Sequence, residues 1–143
     1  MHLHAENTWM LDISRPEEEI LSNMRKTTRY LVRKGEISDL SLKISKDPKL
    51  SSLLYKLQEE TAERHGFVGF EKKLFEEEVK IFGNDDNAFV FVASKGKTPL
   101  AAAIIIFYGN TAYYHFSGSV SKFSKVPFSY FLQWEIIKEA KKK

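Results

Sequence analysis

Arg25, Arg29 and Arg33 recur every four residues, a spacing that stacks side chains on one face of a helix. Three guanidiniums in a row can meet the phosphates of a polyanion, each fork taking two oxygens. The same stripe also suits a solvated helix face, the ordinary use of a charge run. Glu17, Glu18 and Glu19 precede it, toward the positive end of the expected helix dipole, and Lys26 and Lys34 accompany the arginines toward the negative end. No other cluster announces chemistry. There is no Ser-His-Asp arrangement and no metal-ligand spacing, so the catalytic residues stay unknown and neither a metal nor a cofactor is expected. The chain has no cysteine, which excludes a thiol nucleophile, a thiolate metal site and a disulfide framework. Arg64 and His65 fall at a helix end, where cations complement the dipole. His115 lies in an aromatic strand and reads as a packed or hydrogen-bonded residue. Glu59, Glu60 and Glu63 read as a solvated face.

These groups need elements to hold them. Trp9, Leu11 and Ile13 alternate with polar or outward residues, as in a half-buried strand. Ser14 reads as the N-cap of one helix running to Gly35, with Glu17 completing a capping box and Pro16 tolerated in the first turn. Leu40, Leu42 and Ile44 predict a second strand. Asp47 and Pro48 open a helix with a Leu50, Leu53, Leu54, Leu57 and Thr61 stripe, stopped at Gly66. Phe70, Leu74, Phe75 and Phe82, with Val79 or Ile81, predict a third helix to Gly83. Ala88 to Ser94, Leu100 to Tyr108 and Thr111 to Ser117 follow as strands joined by Lys95-Gly96-Lys97 and Gly109-Asn110 turns. The middle strand is apolar enough for burial on both faces. Pro127 opens a last helix with Phe128, Phe131, Leu132, Trp134 and Ile136 inward.

With 143 residues, 43% of them hydrophobic, the chain holds one domain with a core. The net charge of +3 does not by itself demand nucleic acid. The longest apolar run, Pro99 to Tyr108, is about half of what a bilayer span needs. No membrane span and a cytoplasmic location are expected. Residues 1–7 read as a disordered leader or cloning remnant, and residues 8–143 as a single acyltransferase-like domain. The last helix ends in three lysines with no following strand, so the chain reads as a partial lobe, incomplete at the C-terminus.

Strand, two helices, a three-stranded meander and a helix is the opening order of the GNAT-type N-acetyltransferase fold. The expected fold class is therefore α/β, a mixed, largely antiparallel sheet flanked by helices. That resemblance implies a pyrophosphate-binding turn after the meander. The equivalent stretch, Ser119 to Val126, has no glycine, and Pro127 removes an N–H, so coenzyme A binding is not expected. Lys122 and Lys125 sit where a phosphate would lie.

The run Thr8-Trp9-Met10-Leu11-Asp12-Ile13, then Lys26-Thr27-Thr28-Arg29-Tyr30-Leu31-Val32-Arg33-Lys34, resembles the Fem family of aminoacyl-tRNA-dependent transferases that build peptidoglycan bridges. Thr61 to Phe67, Tyr113 to Ser119, Pro127 and Leu132-Gln133-Trp134 resemble further signatures, in order. The resemblance is to the second of two lobes. It implies aminoacyl-tRNA and a peptidoglycan precursor as partners, with Tyr114, Ser119, Lys122 and Lys125 contacting substrate and Arg25, Arg29 and Arg33 contacting tRNA or phosphate. It also implies that one lobe alone does not turn over. Family positions that hold a nucleotide-linked muropeptide correspond here to Phe70 and Leu74, and one of two strand tyrosines to Phe116, so another acceptor is implied. The alternatives are a non-catalytic interaction module that kept the fold, and an acyl-CoA N-acyltransferase. An exposed edge on the aromatic strand leads to a further expectation, a homodimer in which the Trp9–Ile13 strand swaps between copies.

Overall fold

The computed structural model describes residues 7–123 and 125–143. Residues 1–6 of the expected leader, and Ser124 in the expected phosphate loop, lie outside them. The order is α1 (Glu17–Asn23), α2 (Lys26–Glu36), β1 (Ser41–Ser45), a 3₁₀ turn (Pro48–Leu50), α3 (Ser51–His65), α4 (Lys72–Gly83), β2 (Ala88–Lys95), β3 (Thr98–Tyr108), β4 (Thr111–Ser119) and α5 (Phe128–Lys142). The four strands form one antiparallel sheet in the order β1-β2-β3-β4. This is the α/β, antiparallel-sheet architecture that the element order predicts.

Strand alternation sorts the core into two layers. Phe91, Ala93, Ala101, Ala103 and Ile105 face α5, where Phe128, Phe131, Leu132 and Ile136 cover them. Val90, Val92, Ala102 and Ile104 point the other way, onto Leu54 and Leu57 of α3 and Phe75 and Val79 of α4. Leu100 to Ile105 are all buried, as expected for a strand covered on both faces. A third cluster lies outside the sheet: Ile20 of α1 and Val32 of α2 close over Trp134 and Ile137 of α5.

The N-terminal segment departs from the sequence reading. Residues 8–13 form no strand, and Trp9 is 94% exposed. A strand needs a sheet neighbour, and β1 and β4 hold the two edges without it. The single helix is two. Met24 and Arg25 are extended and separate α1 from α2. Ile20 and Val32 explain the break. On one continuous helix, twelve residues put them about 120° apart, so both could not face Trp134. The Ser14 capping box is absent as well. Ser14 spends its N–H and hydroxyl on Asp12 Oδ1, at 2.9 and 2.6 Å, and α1 starts only at Glu17. Gly35 is no helix stop but a buried contact, because a Cβ there would come within 2.9 Å of the Phe131 Cβ. Asp47 caps the 3₁₀ turn through Lys49 N–H rather than α3 directly. In the third helix Phe75 and Val79 are buried, whereas Phe70 precedes α4 and Leu74, Ile81 and Phe82 stay exposed.

Candidate functional site

The densest polar arrangement sits where β4 ends against the last turns of α3. Gly118 makes the approach possible. A Cβ on Gly118 would lie 2.4 Å from Gln58 N and 2.5 Å from the Leu57 carbonyl carbon. With the backbones this close, Thr61 Oγ1 accepts a hydrogen bond from Ser119 N–H at 3.0 Å. Its own hydrogen has the Leu57 and Ser119 carbonyls within reach, at 2.8 and 3.1 Å. One turn on, Arg64 donates to the Ser119 hydroxyl at 3.2 Å and to its carbonyl at 3.4 Å. Glu60, on the same face, accepts from Ser121 N–H at 2.6 Å and from the Ser121 hydroxyl. The Ser121 hydroxyl, then its N–H, hold the Glu60 carboxyl below its usual range. Glu60, Thr61 and Arg64 thus clamp the start of the loop into α5.

The clamp gives several of these residues structural partners. Ser119 is used as scaffold: its N–H, carbonyl and hydroxyl are all engaged by α3. Glu60 is not a merely solvated residue, and Arg64 does more than complement a dipole. The signal for this was Gly118 inside an aromatic strand, since glycine there marks a close backbone approach. Lys122 and Lys125 are exposed in the loop, and neither forms an ion pair among the described residues. Phe123, between them, takes a left-handed conformation at φ 69°, which costs a non-glycine residue roughly 1–2 kcal/mol.

Tyr114 lies apart from the clamp. A register shift in the β3–β4 ladder skips His115, so Tyr114 stands opposite Ile105 on the α5 face and Phe116 opposite Ile104 on the α3–α4 face. Tyr114 is 43% exposed, and burial of the remainder pushes its phenol above its usual value. His115 Nδ1 lies 3.0 Å from Glu78 Oε2 of α4. Burial is the stronger influence on Glu78 and raises its carboxyl, while His115 draws it down. His115 is therefore a hydrogen-bonded strand residue, as the sequence suggests.

The three arginines do not lie on one unbroken helix. Arg25 sits outside α2, at its N-cap. Arg29 turns inward, and its Nη1 donates to the Ser22 and Met24 carbonyls at 2.8 and 2.6 Å. Those are the orphan acceptors at the end of α1. Arg29 and Arg33 line an open groove of about 590 Å³ with Glu18, Leu21 and Ser22, and none of the β4-loop residues reaches it. No group of three or more His, Asp or Glu side chains that could hold a metal occurs among the described residues. No helix among them is long and apolar enough to cross a membrane.

With the sheet, the α3 clamp and the loop into α5 in place, residues 22–143 match the family described as "Acetyltransferase (GNAT) domain". The chain belongs to this family. Among solved structures, the GNAT domain is similar to the crystal structure of FemX, with TM-score 0.84 and 15% identity over 91% of this chain. It spans about half of that protein, 48% of its length. It is also similar to the C-terminal domain of a putative lysylphosphatidylglycerol synthetase from Agrobacterium fabrum, with TM-score 0.61, 14% identity, and coverage of 85% of this chain and 41% of that one. At these identities the likeness is one of fold, and the fold is the one that the Fem resemblance implies. No curated protein matches the sequence at a significant level.

Proposed function

We propose that residues 8–143 form one lobe of a Fem-type aminoacyltransferase, which moves an amino acid from aminoacyl-tRNA to an amine acceptor. The acceptor amine attacks the ester carbonyl, the bond to the ribose oxygen breaks, and the proton lost by the amine ends on that oxygen. The observation that carries this reading is the loop Ser119–Val126. Coenzyme A needs free backbone N–H groups near its pyrophosphate. Here the Ser119 and Ser121 N–H groups are bonded to α3, Val120 N–H is bonded to Leu100 O, and the left-handed position is a phenylalanine. A GNAT fold whose loop has no glycine and has three of its N–H groups bonded to α3 and β3 suits an acyl donor other than acetyl-CoA, and the likeness to FemX supports the same choice. An amine of a peptidoglycan precursor or of a related peptide as acceptor belongs to the same proposal. The rival, an interaction module without activity, is favoured by Phe70 packing on Phe116, ring centroids 5.0 Å apart, where the family resemblance implies muropeptide contacts.

Two measurements test the donor. Calorimetric titration with acetyl-CoA should give no saturable binding at micromolar concentration; such binding would move the protein to acyl-CoA transfer. A non-hydrolysable aminoacyl-tRNA analogue should bind with a steep salt dependence. Arg25→Gln with Arg33→Gln should flatten the slope by up to about two units, one for each phosphate that the stripe no longer neutralises. Arg29 is left in place because it caps α1. An unchanged slope in the double variant would return the stripe to a solvated face, and absence of tRNA binding would favour the interaction module.

A further inference from the structure

A second groove, of about 320 Å³, opens beside the C-terminal half of α3 and the Gly66–Phe70 turn. Its aromatic walls are Tyr55, Phe67 and Phe70, and Glu59 and Glu63 stand on its rim. Neither carboxylate is paired with a cation among the described residues, and the lining contains no Lys, Arg or His. Glu59 receives only the Tyr55 hydroxyl, at 2.7 Å. Gln58 lines the same groove. It is 5% exposed, and its carboxamide has no hydrogen-bond partner among the described residues. A Cβ on Gly69, across the groove wall, would lie 3.6 Å from the Gln58 carboxamide oxygen. No fully buried side-chain nitrogen or oxygen among the described residues lacks a partner, so this carboxamide reaches solvent and can bond an occupant of the groove in place of water.

These groups share one preference. Two carboxylates and an amide oxygen accept hydrogen bonds, and three ring faces carry negative quadrupoles that attract a cation. A phosphate would be repelled by both carboxylates and would meet no donor side chain other than the Tyr55 hydroxyl and the Gln58 amide. We infer that this groove binds the ammonium group of an acceptor with an apolar body, and not a nucleotide-linked acceptor. The inference rests on the aminoacyl-transfer reading only in naming the ligand an acceptor; the ammonium preference stands on the groove itself.

The test uses three probes on the full chain: n-hexylammonium chloride, n-hexanol and uridine monophosphate, followed through the amide resonances of Gly66 and Gly69. Hexylammonium should saturate at millimolar concentration, with hexanol weaker by about fivefold and uridine monophosphate without effect, the scale of one cation–aromatic contact. Glu63→Gln should weaken hexylammonium about fivefold and leave hexanol unchanged. Glu63 is exposed and unpaired among the described residues, so an unchanged melting temperature will show that the variant still folds. Equal affinity for hexanol and hexylammonium, no binding of either, or displacement of hexylammonium by uridine monophosphate would each overturn the inference. The tRNA-analogue titration keeps the two readings separate. Ammonium binding without tRNA binding sinks the donor assignment and spares the groove. Binding of tRNA without ammonium binding does the reverse.

Discussion

Gly118→Ala should cost at least about 3 kcal/mol of stability and lower the melting temperature by roughly 10 °C. The added methyl has no place to go. It would meet the backbone of α3 at Gln58 N, the Leu57 carbonyl carbon and Gln58 Cα, at 2.4, 2.5 and 2.8 Å. A flexible side chain could swing aside; a helix backbone has to move as a unit. Leu54 and Leu57, which seat α3 on the sheet, would be pulled from Val90, Val92 and Ile104 with it. The hydrogen bonds between Thr61 and Ser119 would part as well, so the loop into α5 should become protease-sensitive. Gly96→Ala provides the comparison. Gly96 has φ 58° with open space around the position of a Cβ, so only the left-handed strain applies, roughly 1–2 kcal/mol. Circular-dichroism melts of both variants check the ranking. A Gly118→Ala loss no larger than that of Gly96→Ala would mean that β4 and α3 are not held this close.

The sheet and the last helix were legible because their signals are local. Apolar runs, glycine turns and the Phe128, Phe131, Leu132, Trp134 and Ile136 pattern each specify an element within its own residues, and each is borne out. Apart from the Ser14 cap, what failed depended on partners distant in sequence. Trp9, Leu11 and Ile13 have strand periodicity, but periodicity cannot supply a neighbouring strand. Ser14 has a capping residue's chemistry, but Asp12 competes for it two residues away. The arginine spacing of four assumed an unbroken helix, and the break at Met24 and Arg25 is set by a tryptophan more than a hundred residues later. The α3 clamp was hidden for the same reason. Glu60, Thr61 and Arg64 look like an ordinary polar face until β4 is brought against it.

Trp134→Ala should destabilise the protein by about 3–5 kcal/mol. The indole is 2% exposed and packs with Ile20, Val32 and Ile137. Its Nε1 donates to Glu36 Oε1 at 3.2 Å, and Lys138 reaches the same carboxylate oxygen at 3.5 Å. Removing the ring opens a cavity at the junction of three helices and leaves α1 and α2 without their common anchor. The damage should therefore be directional. The groove holding Arg29 and Arg33 depends on how α1 sits against α2, so the salt dependence of the tRNA binding proposed above should flatten. The β4–α3 corner packs against the opposite face of the sheet and should survive in whatever fraction stays folded. Trp134→Phe separates the two contributions: it keeps most of the volume and loses the Glu36 bond, for about 1 kcal/mol. Fluorescence makes the measurement selective. Of the two tryptophans, Trp9 is exposed and Trp134 buried, so the red shift on unfolding comes from Trp134 and should vanish in both variants while circular dichroism still reports the melt. A Trp134→Ala protein melting within a degree or two of the parent would show that α1 and α2 are anchored elsewhere than on this ring.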